Sequence, residues 1–336
     1  MRAAGKVAKF GEIIVHLRRK TTEDMNKTRG LMWAIVSSAT FGLIPLFSLP
    51  VLLDGVGLDS VCFYRFGFST VGMGLYMLLR RRSLRISVRE FVMVFLLSIF
   101  YAATSMCLTS SYVYIPSGMA TTIHFLYPIL VTSIMILMFG ERASWPVLVA
   151  AALALAGVYL LCGSGVSSGN IAWRGVAAVL VTVVTYATYI VGVNRLPVRN
   201  MDGAKMTFYV LLSSAVIFYL NLLFRHGGHV DPIPDTEALL RLLLLALLPT
   251  LISDLTLIYA IQSVGSTITA ILGCMEPLTA VLMGMIFFYE RFVPLQVLGI
   301  AAILLAVILV ILSDGSGRRY VNHLLWLRRR HSHCRS

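Results

Sequence analysis

Charge is scarce in this chain: 13% of its residues are Asp, Glu, Lys or Arg, against 58% hydrophobic. A soluble protein of 336 residues needs far more charge to cover its surface, so a soluble fold is excluded. Acidic residues are the scarcer sign, 15 against 28 Lys and Arg, which leaves a formal net charge of +13. On one soluble face such an excess points to nucleic acid. Here the basic residues lie between apolar runs, and nucleic acid is excluded as a partner.

The five cysteines (Cys62, Cys107, Cys162, Cys274, Cys334) include no CxxC pair, and four of them fall within apolar runs. Neither a disulfide framework nor a metal site is indicated, and no cofactor motif is present. The chain also lacks a glycine-rich phosphate loop followed by Lys-Ser/Thr, which excludes an ATP-driven pump. The first 28 residues have no continuous apolar core of the kind a signal peptide requires. Two readings of them stay open: a cytoplasmic amphipathic helix lying on anionic lipid, or translation from Met25.

What is present in quantity is apolar sequence. Mean hydropathy is +0.85, and the apolar residues come in runs of about 20, the length that crosses a bilayer core. Reading these runs between Gly, Pro and Arg punctuation predicts spans near 31–53, 59–79, 91–111, 117–139, 145–163, 172–193, 206–224, 239–262, 266–289 and 293–313. Each must be helical, because backbone in lipid has to satisfy its own hydrogen bonds. Counting Lys and Arg on alternate sides gives 23 on the side of both termini and 4 on the other. The positive-inside rule then predicts both termini in the cytoplasm of a multi-pass protein of the cell membrane, the inner membrane in a bacterium.

Two stretches repeat. Residues 127–142 and 276–291 each run from a Pro to a Glu-Arg pair, and Pro128 to Glu141 and Pro277 to Glu290 are both 13 residues. The halves also start alike. Gly30 precedes Ser37, Thr40 and Phe41 at the same offsets at which Gly175 precedes Thr182, Thr185 and Tyr186. Five spans per half is an odd number, so the second half enters the membrane from the opposite side. The expected fold is an all-α membrane protein with ten transmembrane helices in two inverted five-helix repeats. The expected division is a basic cytoplasmic segment at 1–29, repeats at 30–163 and 172–313, and a basic cytoplasmic tail at 314–336. Inverted repeats place a site at their interface near the membrane midplane, where rocking exposes it to each side in turn.

On these features the sequence resembles the drug/metabolite transporter superfamily, specifically its ten-span EamA-type members. The resemblance covers about residues 30–313 and rests on the repeated Pro…Glu element and on Tyr64-Arg65-Phe66 in the second span. It implies gradient-driven export or exchange of small organic solutes such as amino acids, their analogues or amphipathic drugs. One departure is Tyr127 where the second repeat has Glu276. A homodimer is compatible with the pattern. The alternative reading, from a different class, is an integral-membrane enzyme acting on lipid.

Ionisable groups inside spans are costly, about 2.5–3.5 kcal/mol at a helix centre on insertion scales, and so mark candidate sites. Asp254 and Glu276 are the two carboxylates nearest the centres of their spans. Each is a candidate for binding a cationic group or a coupling proton, the alternative being a carboxyl that holds helices together. Asp254 follows Thr250 by four residues, which on an α-helix puts both on one face. His124 is either a proton relay or an imidazole hydrogen-bonded to a neighbouring helix. Arg65 either binds a substrate carboxylate bidentately, snorkels, or pairs with an acid. The stripe Thr182, Thr185, Tyr186, Tyr189, with Tyr101, Thr104, Ser105, Trp33, Ser37 and Phe41, is expected to line a cavity for flat or amphipathic solutes. Its alternative is interhelical packing. Glu141 and Glu290, at the ends of the repeated helices, are expected to act as interfacial anchors or gate ion pairs, with Pro128 and Pro277 shaping the turns before them.

Overall fold

The computed structural model describes residues 25–140, 145–163, 173–287 and 294–313. Among these residues there are helices and their connections and no strand. The helices form ten rods: α1 (Met25–Leu53), α2 (Leu58–Leu79), α3 (Val88–Ser111), α4 (Ser117–Phe139) and α5 (Trp145–Gly163), then α6 (Trp173–Arg195), α7 (Gly203–His226), α8 (Thr236–Val264), α9 (Ser266–Phe287) and α10 (Pro294–Ser313). Among the described residues, seven of them (α1, α3, α4, α6, α7, α8 and α9) contain an 18-residue stretch apolar enough to cross a membrane. The rod α2 is also long enough, at 22 residues, but Asp59 and Arg65 and its glycines make it less apolar.

Polar residues sit where rods begin. Ser87 and Glu90 close a reciprocal capping box on α3, and Asp202 and Asp235 accept backbone N–H bonds at the starts of α7 and α8. The rods then pack in a pattern that survives exchange of the two halves. The rod α3 lies against α6 and, equivalently, α8 against α1; α3 meets α7 as α8 meets α2, and α4 meets α6 as α9 meets α1. The self-paired contacts α2–α7 and α5–α10 complete the set. That is the signature of a two-fold relation between five-rod units.

Four rods are not continuous α-helix. The rod α1 breaks at Gly42–Leu43, α4 at Phe125–Leu126 and α9 at Gly273–Cys274, while α8 widens into a π turn over Leu247–Ile252. Two of the break glycines are required by close approach. A Cβ on Gly42 would meet the Glu276 carbonyl oxygen at 2.5 Å, and one on Gly273 would meet the Tyr127 hydroxyl at 1.8 Å. The breaks therefore touch one another, and they do so across the repeats. The π turn corrects the expected α-helical spacing of Thr250 and Asp254, since π turns carry an extra residue and occur often at functional sites.

Candidate functional site

Arg65, on α2, is 2% exposed. It donates from Nε to Thr250 Oγ1 at 2.6 Å and from Nη1 to Ser105 Oγ at 3.1 Å, while Nη2 has no partner. The guanidinium stands over Phe66 at 5.3 Å and Phe41 at 6.0 Å. Among the described residues no carboxylate lies within ion-pair distance of it. The π turn fixes this arrangement. The Thr250 hydroxyl bonds back to the Leu245 carbonyl at 2.8 Å, a reach of five residues, which leaves its oxygen to accept from Arg65. Removing an ion from water costs several kcal/mol, and cation–π contacts return about 0.5–2 kcal/mol, so two hydroxyls and two rings leave this cation undercompensated.

Asp254 follows the π turn and is fully buried. Tyr101, on α3, donates a hydrogen bond to its Oδ1, and Oδ2 has no partner. From there aromatic contacts run round the site. Tyr101 stacks on Tyr189 with centroids 4.9 Å apart, Tyr189 on Tyr186 at 6.2 Å, and Tyr186 on Phe41 at 6.0 Å. Phe41 lies under Arg65, Arg65 stands over Phe66, and Phe66 meets Tyr101 edge-on at 5.8 Å. The contacts close on themselves. Arg65 belongs to this ring, whose side chains come from α1, α2, α3 and α6, and Asp254 on α8 is tied to it by Tyr101, so both repeats contribute.

A second polar group adjoins this ring through Tyr186, which contacts both Tyr127 (4.7 Å) and His124 (5.1 Å). The His124 Nδ1 lies 2.7 Å from Thr182 Oγ1, and Thr182 in turn bonds to the Val179 carbonyl at 2.6 Å. With that hydroxyl hydrogen committed, Thr182 accepts from Nδ1–H, an assignment that follows from the hydrogen bonds. The Nε2 has no partner. Glu276 is 2% exposed, its Oε1 is without a partner, and it lies within electrostatic range of Tyr112, Tyr127 and Tyr186. The phenolic oxygens of Tyr112 and Tyr189 are unpartnered as well. Buried polar atoms nearly always find partners, so such a group of unsatisfied ones marks a place for water or a ligand.

Ten of the expected residues thus come together: Glu276, Asp254, His124, Arg65, Tyr186, Tyr189, Tyr101, Phe41, Ser105 and Thr182. For His124 the structure shows a hydrogen bond to a neighbouring helix, one of its two expected roles. Four do not join them: Trp33, Thr185, Thr104 and Ser37. Trp33 is 40% exposed and pairs with Tyr259, and together they line a cavity of about 670 Å³ between the N-terminal part of α1 and the end of α8. Thr185 bonds to Thr104 at 2.7 Å and ties α6 to α3, the packing alternative. Pro128 and Pro277 stand in the first turns of the rod segments that restart after the breaks in α4 and α9. Glu141 and Glu290 lie outside the described residues.

Sequence reasoning misses Tyr112 and Ser253. Tyr112 continues the face of Tyr101, Ser105 and Leu108 at helical spacing, a signal that the sequence does carry. Ser253 is part of a clasp between α1 and α8. Its hydroxyl donates to the Ser37 carbonyl at 2.9 Å, and the Ser37 hydroxyl donates to the Ser253 carbonyl at 2.9 Å. No local pattern announces such a pair.

Fold and site together define a polytopic helical membrane protein in which two five-rod repeats enclose a buried polar and aromatic site. The family follows from comparison: the model of the EamA-like transporter family matches residues 28–163 and 173–312, one match per repeat, and the chain belongs to that family. A search of curated proteins finds no match. One solved structure, described in the words "Crystal structure of protein", is similar with a TM-score of 0.70 at 16% identity, covering 86% of this chain and 99% of the other. At that identity the likeness speaks for the fold alone.

Proposed function

We propose that the chain is a secondary transporter that moves small organic metabolites, amino-acid-like or amphipathic, across the cell membrane by alternating access. All ten rods would cross the bilayer, with repeats at 30–163 and 172–313 and the basic segments 1–29 and 314–336 in the cytoplasm. The observation that carries this reading is the closed ring that includes Arg65 and holds Asp254 through Tyr101, built from both repeats and bordered by unpartnered polar atoms. A site shared by two units that pack with two-fold symmetry changes its access when one unit rocks against the other. A coupling proton has candidate carriers in Asp254 and Glu276, which are buried where the halves meet.

Counterflow of radiolabelled amino acids into proteoliposomes tests the proposal. Uptake above that of protein-free vesicles, driven by unlabelled solute inside, is the expected result. Turnover of lipid without flux of any solute would replace the transporter by a lipid enzyme.

A further inference from the structure

We propose that Arg65 and Asp254 are the two poles of this site, so that its substrate must present a carboxylate to Arg65 Nη2 and an ammonium to Asp254 Oδ2. The inference rests on the transporter reading and narrows it. Cationic amphipathic drugs and uncharged solutes are excluded as tight ligands, although a site with aromatic walls alone would admit them.

Arg65 is a buried cation with no carboxylate beside it among the described residues, and two of its three nitrogens are engaged by neutral hydroxyls. Because Nε is held by Thr250, the side-on fork that arginine usually offers a carboxylate is occupied, and Nη2 is the nitrogen left with free hydrogens. Asp254 mirrors this. One oxygen is held by the Tyr101 hydroxyl and the other is free. No ion pair joins the two groups directly; they are linked through Phe66 and Tyr101, which contact each other while Phe66 meets Arg65 and Tyr101 meets Asp254. A direct ion pair would have consumed both charges. Without that pair, one anion acceptor and one cation acceptor stay available at the same site, and a zwitterion completes both without adding net charge to the bilayer interior.

Thr250 acts through Arg65 as a positioning residue. Its hydroxyl is locked by the π turn to the Leu245 carbonyl, so the direction of Arg65 is set by a backbone feature of the opposite repeat. Losing that hydroxyl lets the guanidinium turn away from its set direction, so that Nη2 no longer meets the carboxylate.

The test uses the full chain reconstituted in proteoliposomes and a panel of the standard L-amino acids. For the best-bound member, its decarboxylated amine and its deaminated acid are also measured. Each of the two analogues should bind at least about tenfold more weakly than the parent, because each leaves one buried charge unpaired. Arg65→Gln should abolish the preference for parent over amine while leaving the preference for parent over deaminated acid. Thr250→Val should reduce the first preference and Thr250→Ser restore it, whereas a purely structural role would weaken all ligands alike. Equal binding of amine and parent overturns the proposal, as does an unchanged preference in Arg65→Gln. Counterflow of an uncharged or cationic solute instead of the panel also overturns it, yet leaves the transporter reading standing. No flux of any solute removes both.

Discussion

Tyr101, in the first repeat, donates a hydrogen bond to the side chain of Asp254, in the second, across 153 residues of sequence. The bond ties α3 to α8 at a point where both side chains are fully buried. Tyr101→Phe would leave a buried carboxyl without this partner, at a cost of about 1–3 kcal/mol. A lower thermal midpoint in detergent is expected. Asp254→Asn, which keeps an acceptor for the phenol, should cost less. The double variant should be less destabilised than the two effects added, because the contact that Asp254→Asn weakens is already gone in Tyr101→Phe.

The break in α9 is shaped to receive Tyr127. A methyl group on Gly273 would begin 1.8 Å from the Tyr127 hydroxyl and 2.7 Å from the Ala270 carbonyl oxygen. Gly273→Ala should destabilise the fold by about 1–3 kcal/mol, as overpacking does. Adding Tyr127→Phe should recover part of that loss and no more, since the carbonyl clash persists. Midpoints of the three variants by thermal unfolding decide the matter. Full recovery, or none, would contradict the geometry.

The reciprocal clasp of Ser37 and Ser253 lies between the cavity lined by Val36 and Trp33 and the buried Asp254. In the proposed alternating-access cycle, α1 and α8 would part here. With both serines replaced by cysteine and the native cysteines removed, oxidation should stop counterflow and a reductant should restore it. Undiminished flux through the cross-linked protein would show that the moving surface lies elsewhere.

Orientation has its own check. The connection between α2 and α3 is rich in arginine, while that between α7 and α8 carries few cations. A single cysteine at Gly228 should react with an impermeant maleimide in right-side-out vesicles, and one at Ser83 only in inverted ones. The reverse pattern would place both termini outside.

Much of this architecture is legible in the sequence. The rods lie where apolar runs of bilayer length predict them, and the Pro-to-Glu spacing marks the repeat that the rod packing repeats in three dimensions. The ionisable residues Arg65, His124, Asp254 and Glu276 stand out because charge inside an apolar run needs a reason. Helical periodicity assigns Trp33 and Thr185 to the cavity as well, yet periodicity identifies a face without saying what that face meets. Trp33 meets Tyr259 near the end of the bundle, and Thr185 meets Thr104.

The sequence by itself determined the helices, their lengths, the duplication and the identity of the buried charges, because each of these is local in the chain. Only the tertiary structure decided who partners whom. Arg65 lies 185 residues from Thr250, and Ser37 lies 216 from Ser253. Between helices in lipid there is little hydrophobic gain to drive association, so interfaces are chosen by close packing and by hydrogen bonds between distant residues. The π turn of α8 and the abutting breaks of α1, α4 and α9 arise from those contacts. So does the pairing of Arg65 and Asp254 with neutral hydroxyls instead of with each other, on which the proposed recognition of a zwitterion depends.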